Sequence, residues 1–145
     1  MITYDELNTQ NHKIIELSNV LSILLKDRSL CDSETCCDLF YSYMDRVNNH
    51  ITKVDASLYG PLLQDDSTDA NTTAQNFMSG SKEIKKIMGA YVKKWCDKKQ
   101  HGIAIGAEHD TFIKETNEMF EMVLSRIQDE TERLYPMVRN LQKTA

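Results

Sequence analysis

A histidine and a glutamate placed i, i+4 on one helix can ligate a metal ion together. This chain holds the two halves of that arrangement in separate places. One stretch runs His50-Ile51-Thr52-Lys53-Val54-Asp55-Ala56-Ser57-Leu58-Tyr59-Gly60-Pro61. The other runs Arg126-Ile127-Gln128-Asp129-Glu130-Thr131-Glu132-Arg133-Leu134-Tyr135-Pro136. Aligned on Leu-Tyr, His50 falls on Arg126 and Val54 on Glu130, so each stretch keeps one ligand type. A metal reading would draw on His50 and Glu130, with His12, His109 or Asp55 as further ligands. Against it stands Arg126, where a ligand would be wanted; a guanidinium stays cationic and cannot coordinate a cation. The alternative is a buried polar network in which Arg126 pairs with Glu130 one turn away and His50 bonds to one of them. The network is the expected arrangement.

Other chemistry is sparse. The four cysteines, Cys31, Cys36, Cys37 and Cys96, form no CxxC pair, which speaks against a structural zinc site. Free thiols are expected; the redox alternative is a bridge from Cys36 or Cys37 to Cys96. His50-Ile51-Thr52-Lys53 also carries the His and Lys of a histidine phosphotransfer domain, but Val54-Asp55 follows in place of a small glycine-containing stretch. No Ser-His-Asp spacing marks a triad and no GxxxxGK[ST] loop cradles phosphate, so a non-enzyme is expected.

Composition narrows the setting. The chain has 145 residues and a net charge of -5, enough for one domain with a real core. Acidic and basic residues are interspersed without a basic stripe, which argues against nucleic acid. No apolar run approaches the roughly 18 residues of a membrane span, and Met1-Ile2-Thr3-Tyr4-Asp5-Glu6 does not read as a secretory signal. A soluble, cytoplasmic protein with no membrane role is the expectation, its partner being an unidentified protein or a second copy of itself.

The elements that must position these residues are helices. Only two prolines occur, each after a Leu-Tyr (Gly60 intervening in the first), and glycine is scarce. The periodicity predicts helix A from about Asp5 to Lys26, with Thr3 and Glu6 as a capping box. Helix B follows from about Ser33 to Tyr59, helix C from Thr73 to Asp97 and helix D from Glu108 to Gln142. Asp27 to Asp32, Gln64 to Thr73 and Lys98 to Gly106 read as loops; Ser79-Gly80-Ser81 is a candidate bend and Pro136 a candidate kink. On a helical wheel Glu130 lies at the centre of its apolar stripe, His50 at a margin and Asp55 at the opposite one. Gln10 falls on helix A's stripe with Asn11 nearby, whereas His12 points about 160° away. Four amphipathic helices with short connections predict an all-α, up-down-up-down four-helix bundle over residues 1–145 as one domain.

These residues resemble the hemerythrin-like, or HHE cation-binding, family. Its members are four-helix bundles with a non-haem di-iron site, in which two helices each carry His-x-x-x-Glu followed by an aromatic and Pro. The pattern maps onto His50-x-x-x-Val54 before Leu58-Tyr59-Gly60-Pro61 and onto Arg126-x-x-x-Glu130 before Leu134-Tyr135-Pro136. Gln10-Asn11-His12-Lys13-Ile14-Ile15-Glu16-Leu17 is similar to the family's first ligand helix. The departures are Val54 for a Glu, Arg126 for a His, and Ser79-Gly80-Ser81 where helix C would carry a His. The resemblance implies a hemerythrin-like bundle, and the departures imply loss of the standard di-iron site and a small non-catalytic regulatory or interaction role. No cofactor, or a weakly bound metal, is then expected. The alternative is an iron protein that binds or senses oxygen or nitric oxide through an altered ligand set.

Overall fold

The computed structural model describes residues 3–144, and side chains through residue 141. Met1 and Ile2, part of the stretch read for a leader, lie outside the described residues. Helix α1 (Tyr4–Leu24) starts where expected: the Thr3 hydroxyl accepts from the Glu6 N–H and satisfies one of the free donors of the first turn. A single tight turn, Leu30–Asp32, leads into α2 (Glu34–Ser57), whose cap is Ser33 accepting from Cys36 N–H.

Gly60-Pro61 does not end helical structure. A short helix, α3 (Tyr59–Gln64), contains both residues, because the first turn of a helix has no use for the N–H that proline lacks. The polar stretch after it is mostly helix as well. α4 (Thr68–Trp95) begins five residues before the expected Thr73, with Ser67 capping Ala70 N–H. Ser, Thr and Asp crowd this segment because helix starts favour them, and polarity alone read as loop. α4 runs on through Ser79-Gly80-Ser81 without a break. The segment after it folds into a small antiparallel hairpin, β1 (Cys96–Asp97) with β2 (Gly102–Ile103).

The last predicted helix is three pieces: α5 (His109–Asp129), a widened turn over Glu130–Leu134, and α6 (Tyr135–Thr144). In the widened turn Tyr135 N–H donates to Glu130 O, five residues back. Pro136 accounts for the position, since it offers no N–H to the carbonyl four residues earlier and its ring crowds that carbonyl.

α1 packs against α2 and α5, and α4 packs against the same two, so the four long helices form an all-α bundle. Its interior is divided. One apolar cluster holds Phe40, Tyr43, Trp95 and Phe112 with the thiols of Cys31, Cys36 and Cys37. The other holds Leu7, Val54, Leu62, Ala74, Phe77 and Leu134. Near the boundary of the two clusters each long helix carries a buried polar residue: Asn11 on α1, His50 on α2, Ser81 on α4 and Arg126 on α5. Among the described residues no helix is long and apolar enough to cross a membrane.

Candidate functional site

The polar layer between the two clusters is built around Glu130. Its carboxylate is fully buried at 0 % exposure, and His50 and Arg126 are 2 % and 8 % exposed. Burying a carboxylate is costly unless it is paired and hydrogen-bonded. Here it is bonded on both oxygens. Oε1 lies 2.7 Å from His50 Nε2 and accepts from the Tyr135 hydroxyl at 3.2 Å. Oε2 accepts from Arg126 Nε at 3.1 Å.

The widened turn supplies one of these partners. Five residues separate Glu130 from Tyr135, and the extra residue brings the hydroxyl back over the carboxylate while Leu134 and Tyr135 both stay buried. Burial first, and the charge of Glu130 second, push the Tyr135 phenol well above its ordinary range, so it is a donor and not a second anion.

A carboxylate accepts only, so His50 Nε2 carries the proton it shares with Glu130. The other ring nitrogen, Nδ1, sits 2.9 Å from the Gln10 side-chain amide. α1 thereby fixes the plane of the ring, and both nitrogens are engaged.

Arg126 extends away from Glu130 toward α3 and α4. Its Nη2 donates to the Tyr59 hydroxyl at 2.6 Å, to Ser81 Oγ at 2.7 Å and to Phe77 O at 3.0 Å. Tyr59 and Ser81 also bond each other at 3.1 Å. The guanidinium lies over the Phe77 ring, 4.7 Å from its centroid, which adds a cation–π contact. Room for it comes from Gly80: a Cβ there would meet Arg126 Nη1 at 2.8 Å. Burial raises the Tyr59 phenol to about 12, outweighing the Ser81 hydrogen bond and the Arg126 charge that pull it down.

His50, Arg126 and Glu130 therefore meet in one layer. The other candidate metal ligands do not join them. His12 is exposed on the outer side of α1. His109 donates from Nε2 to Leu25 O at 2.7 Å, closing the α1 end of the bundle. Asp55 pairs with Lys85 at 2.9 Å. Among the described residues no group of three or more His, Cys, Asp or Glu side chains is arranged to hold an ion.

Two irons do not fit the residues present. Only His50 and Glu130 converge, and the guanidinium occupies the neighbouring space against Gly80. Nor does the phosphotransfer reading fit, because that reaction needs an exposed imidazole and His50 is buried with both nitrogens bonded.

The cysteine bridge is not formed: all four thiols are free. Cys36 lies in the core, where burial raises its thiol to about 11, and the Cys31 and Cys37 thiols donate to the carbonyls of Leu25 and Cys31. Cys96 sits at the hairpin, half-buried. A thiol so protonated is a poor nucleophile for disulfide exchange.

Sequence reading missed Tyr59, Ser81, Gly80 and Tyr135 as members of the layer. The signal for two of them was present in the echo itself, since both stretches share Leu-Tyr and both tyrosines turn inward to the same network. The bond from Gln10 was hinted by its place on the helix A stripe. No protein-family model, no curated protein and no solved structure matches this chain.

Proposed function

We propose that this chain is a hemerythrin-like bundle without the standard di-iron site, acting as a small non-catalytic regulatory or interaction module. One observation carries the reading. The Arg126 guanidinium is bonded to Glu130, Tyr59, Ser81 and the Phe77 carbonyl at the level where ligands would be needed, and Gly80 is shaped around it. A fixed positive charge at that point repels a cation and already pairs with the one carboxylate that would attract it.

A polar layer of this kind can specify which helices pair and in what register, because a slipped helix leaves a buried charge without its partner. That role suits a module whose task is to present a fixed surface. Metal analysis of the purified protein, with absorption spectra before and after anaerobic ferrous iron and air, tests the reading. Less than a tenth of an equivalent of iron and no oxo-bridge bands are expected. Two equivalents of iron with such bands would replace it by the alternative, an oxygen- or nitric oxide-binding iron protein with an altered ligand set.

A further inference from the structure

A groove lies away from the polar layer, along the seam between α2, α4 and the hairpin. Its volume is about 860 Å³, within the range of small-molecule sites. Its floor is apolar, made by Tyr41, Met44 and Ile51 from α2 and by Met88 and Val92 from α4. Tyr41 and Ile51 stand about 15 Å apart at the rise of an α-helix, the reach of an alkyl chain of about a dozen carbons. Methionine suits such a floor, since its unbranched thioether adapts to flexible apolar ligands.

Two contacts hold the groove open at its ends. Lys85 bonds Asp55 across α4 and α2 at 2.9 Å, and the Tyr41 hydroxyl donates to Gly102 O of the hairpin at 2.9 Å. Midway, Gly89 faces open space: a Cβ there would meet nothing within 4 Å. No side chain stands there over the floor, in which Met44, Ile51 and Met88 show only their edges at 7 %, 3 % and 8 % exposure.

The walls carry a charge opposite to that of the whole chain. Five lysines (85, 93, 94, 98 and 99) line the groove against two aspartates, Asp45 and Asp97, in a protein of net charge -5. Lys85 and Lys94 are matched by Asp55 and Glu115. Lys93, Lys98 and Lys99 remain against Asp45 and Asp97, a surplus of one positive charge, with the three lysines gathered where α4 runs into the hairpin.

We infer that this groove binds a monomeric long-chain carboxylate, with the alkyl chain along the methionine floor and the headgroup among Lys93, Lys98 and Lys99. An apolar trough with a cationic end matches an amphiphile with an anionic head and rejects one with a cationic head. The inference adds a ligand to the non-catalytic reading and stands apart from the metal question, because no groove residue belongs to the polar layer.

The test is calorimetric titration of the full chain with dodecanoate below its micelle concentration, alongside dodecyltrimethylammonium and acetate. Saturable one-to-one binding of dodecanoate is expected, with at least tenfold weaker binding of the other two. Gly89→Trp fills the trough and abolishes binding. The triple reversal Lys93→Glu, Lys98→Glu, Lys99→Glu changes only exposed side chains and weakens binding at least tenfold with an unchanged circular dichroism spectrum. Equal binding of both amphiphiles, no binding of dodecanoate, or binding untouched by the triple reversal overturns the inference. So does a concentration-dependent dimer in sedimentation velocity that Gly89→Trp disperses, which would assign the groove to a second copy of the chain.

Discussion

The two sides of the bundle are held together on different principles. Around Trp95 and Phe112 the interior is aromatic rings and sulfur, packed by shape; the two rings meet edge to face at 5.2 Å. Toward Phe77 and Leu134 the apolar cluster is smaller, and its boundary is the layer of ions and hydroxyls. Shape packing tolerates substitution in proportion to the volume lost. A paired buried charge tolerates almost none on one side alone, because the partner left behind has no solvent to turn to. The polar layer is therefore a source of specificity more than of net stability.

Single and paired substitutions separate these principles most sharply. Glu130→Ala leaves Arg126 and His50 facing an empty site and should lower stability by about 3–5 kcal/mol, read from urea denaturation. Phe112→Ala in the aromatic cluster should cost a similar amount, about 3–5 kcal/mol, by opening a cavity. The two sites then diverge. Replacing the charged pair together (Arg126→Met with Glu130→Leu) should recover much of the loss, whereas Phe112→Ala with Trp95→Ala should lose more than either alone. Additive losses in the charged pair would mean the layer is stabilising in itself.

The two helical glycines of α4 give a smaller contrast of opposite sign. Gly80→Ala drives a Cβ onto a pinned guanidinium and should destabilise by about 1–2 kcal/mol in spite of better helix propensity. Gly89→Ala meets nothing and should stabilise by about 0.5–1 kcal/mol in thermal melts. Equal signs would show that Gly80 is not reserved for Arg126.

High pH should erode both sides. Folding holds the Cys36 thiol up to about 11 against an ordinary 9.0, and the Tyr59 phenol up to about 12 against 10.0, through burial in each case. The unfolded chain gives up these protons first, so their contribution is full below pH 9.0 and is lost as pH rises through about 11 and 12. Alkaline titration followed by near-ultraviolet circular dichroism should show packing intact at pH 8 and lost over that window. Smallest of all, Lys85→Ala should change stability by about 0–1 kcal/mol, since the pair with Asp55 is partly exposed to solvent.

The four long helices were legible because apolar residues at helical spacing leave few alternatives. The wheel turned Glu130 inward for the same reason, but it set His50 at a margin and Gln10 on the stripe, whereas His50 and Asn11 are buried and Gln10 is half-buried. What escaped it depends on departures from regular geometry. The widened turn at Glu130 shifts every later residue by about 100°, so a regular wheel cannot aim Tyr135. Pro61 looked like a stop and is part of a start, because proline means different things at the two ends of a helix. The groove escaped because a missing side chain at Gly89 marks nothing by itself, although Lys93, Lys94, Lys98 and Lys99 already stand within seven residues of the sequence.

Gly80 and Arg126 also govern which neighbours in sequence space this protein can reach. Enlarging the glycine first forces a collision, while shortening the arginine first strands the glutamate and leaves a void. Either order passes through a less stable intermediate, so the pair acts as a ratchet: drift can reshape the outside of the bundle freely, but a return to a different interior must cross a valley that no single step bridges.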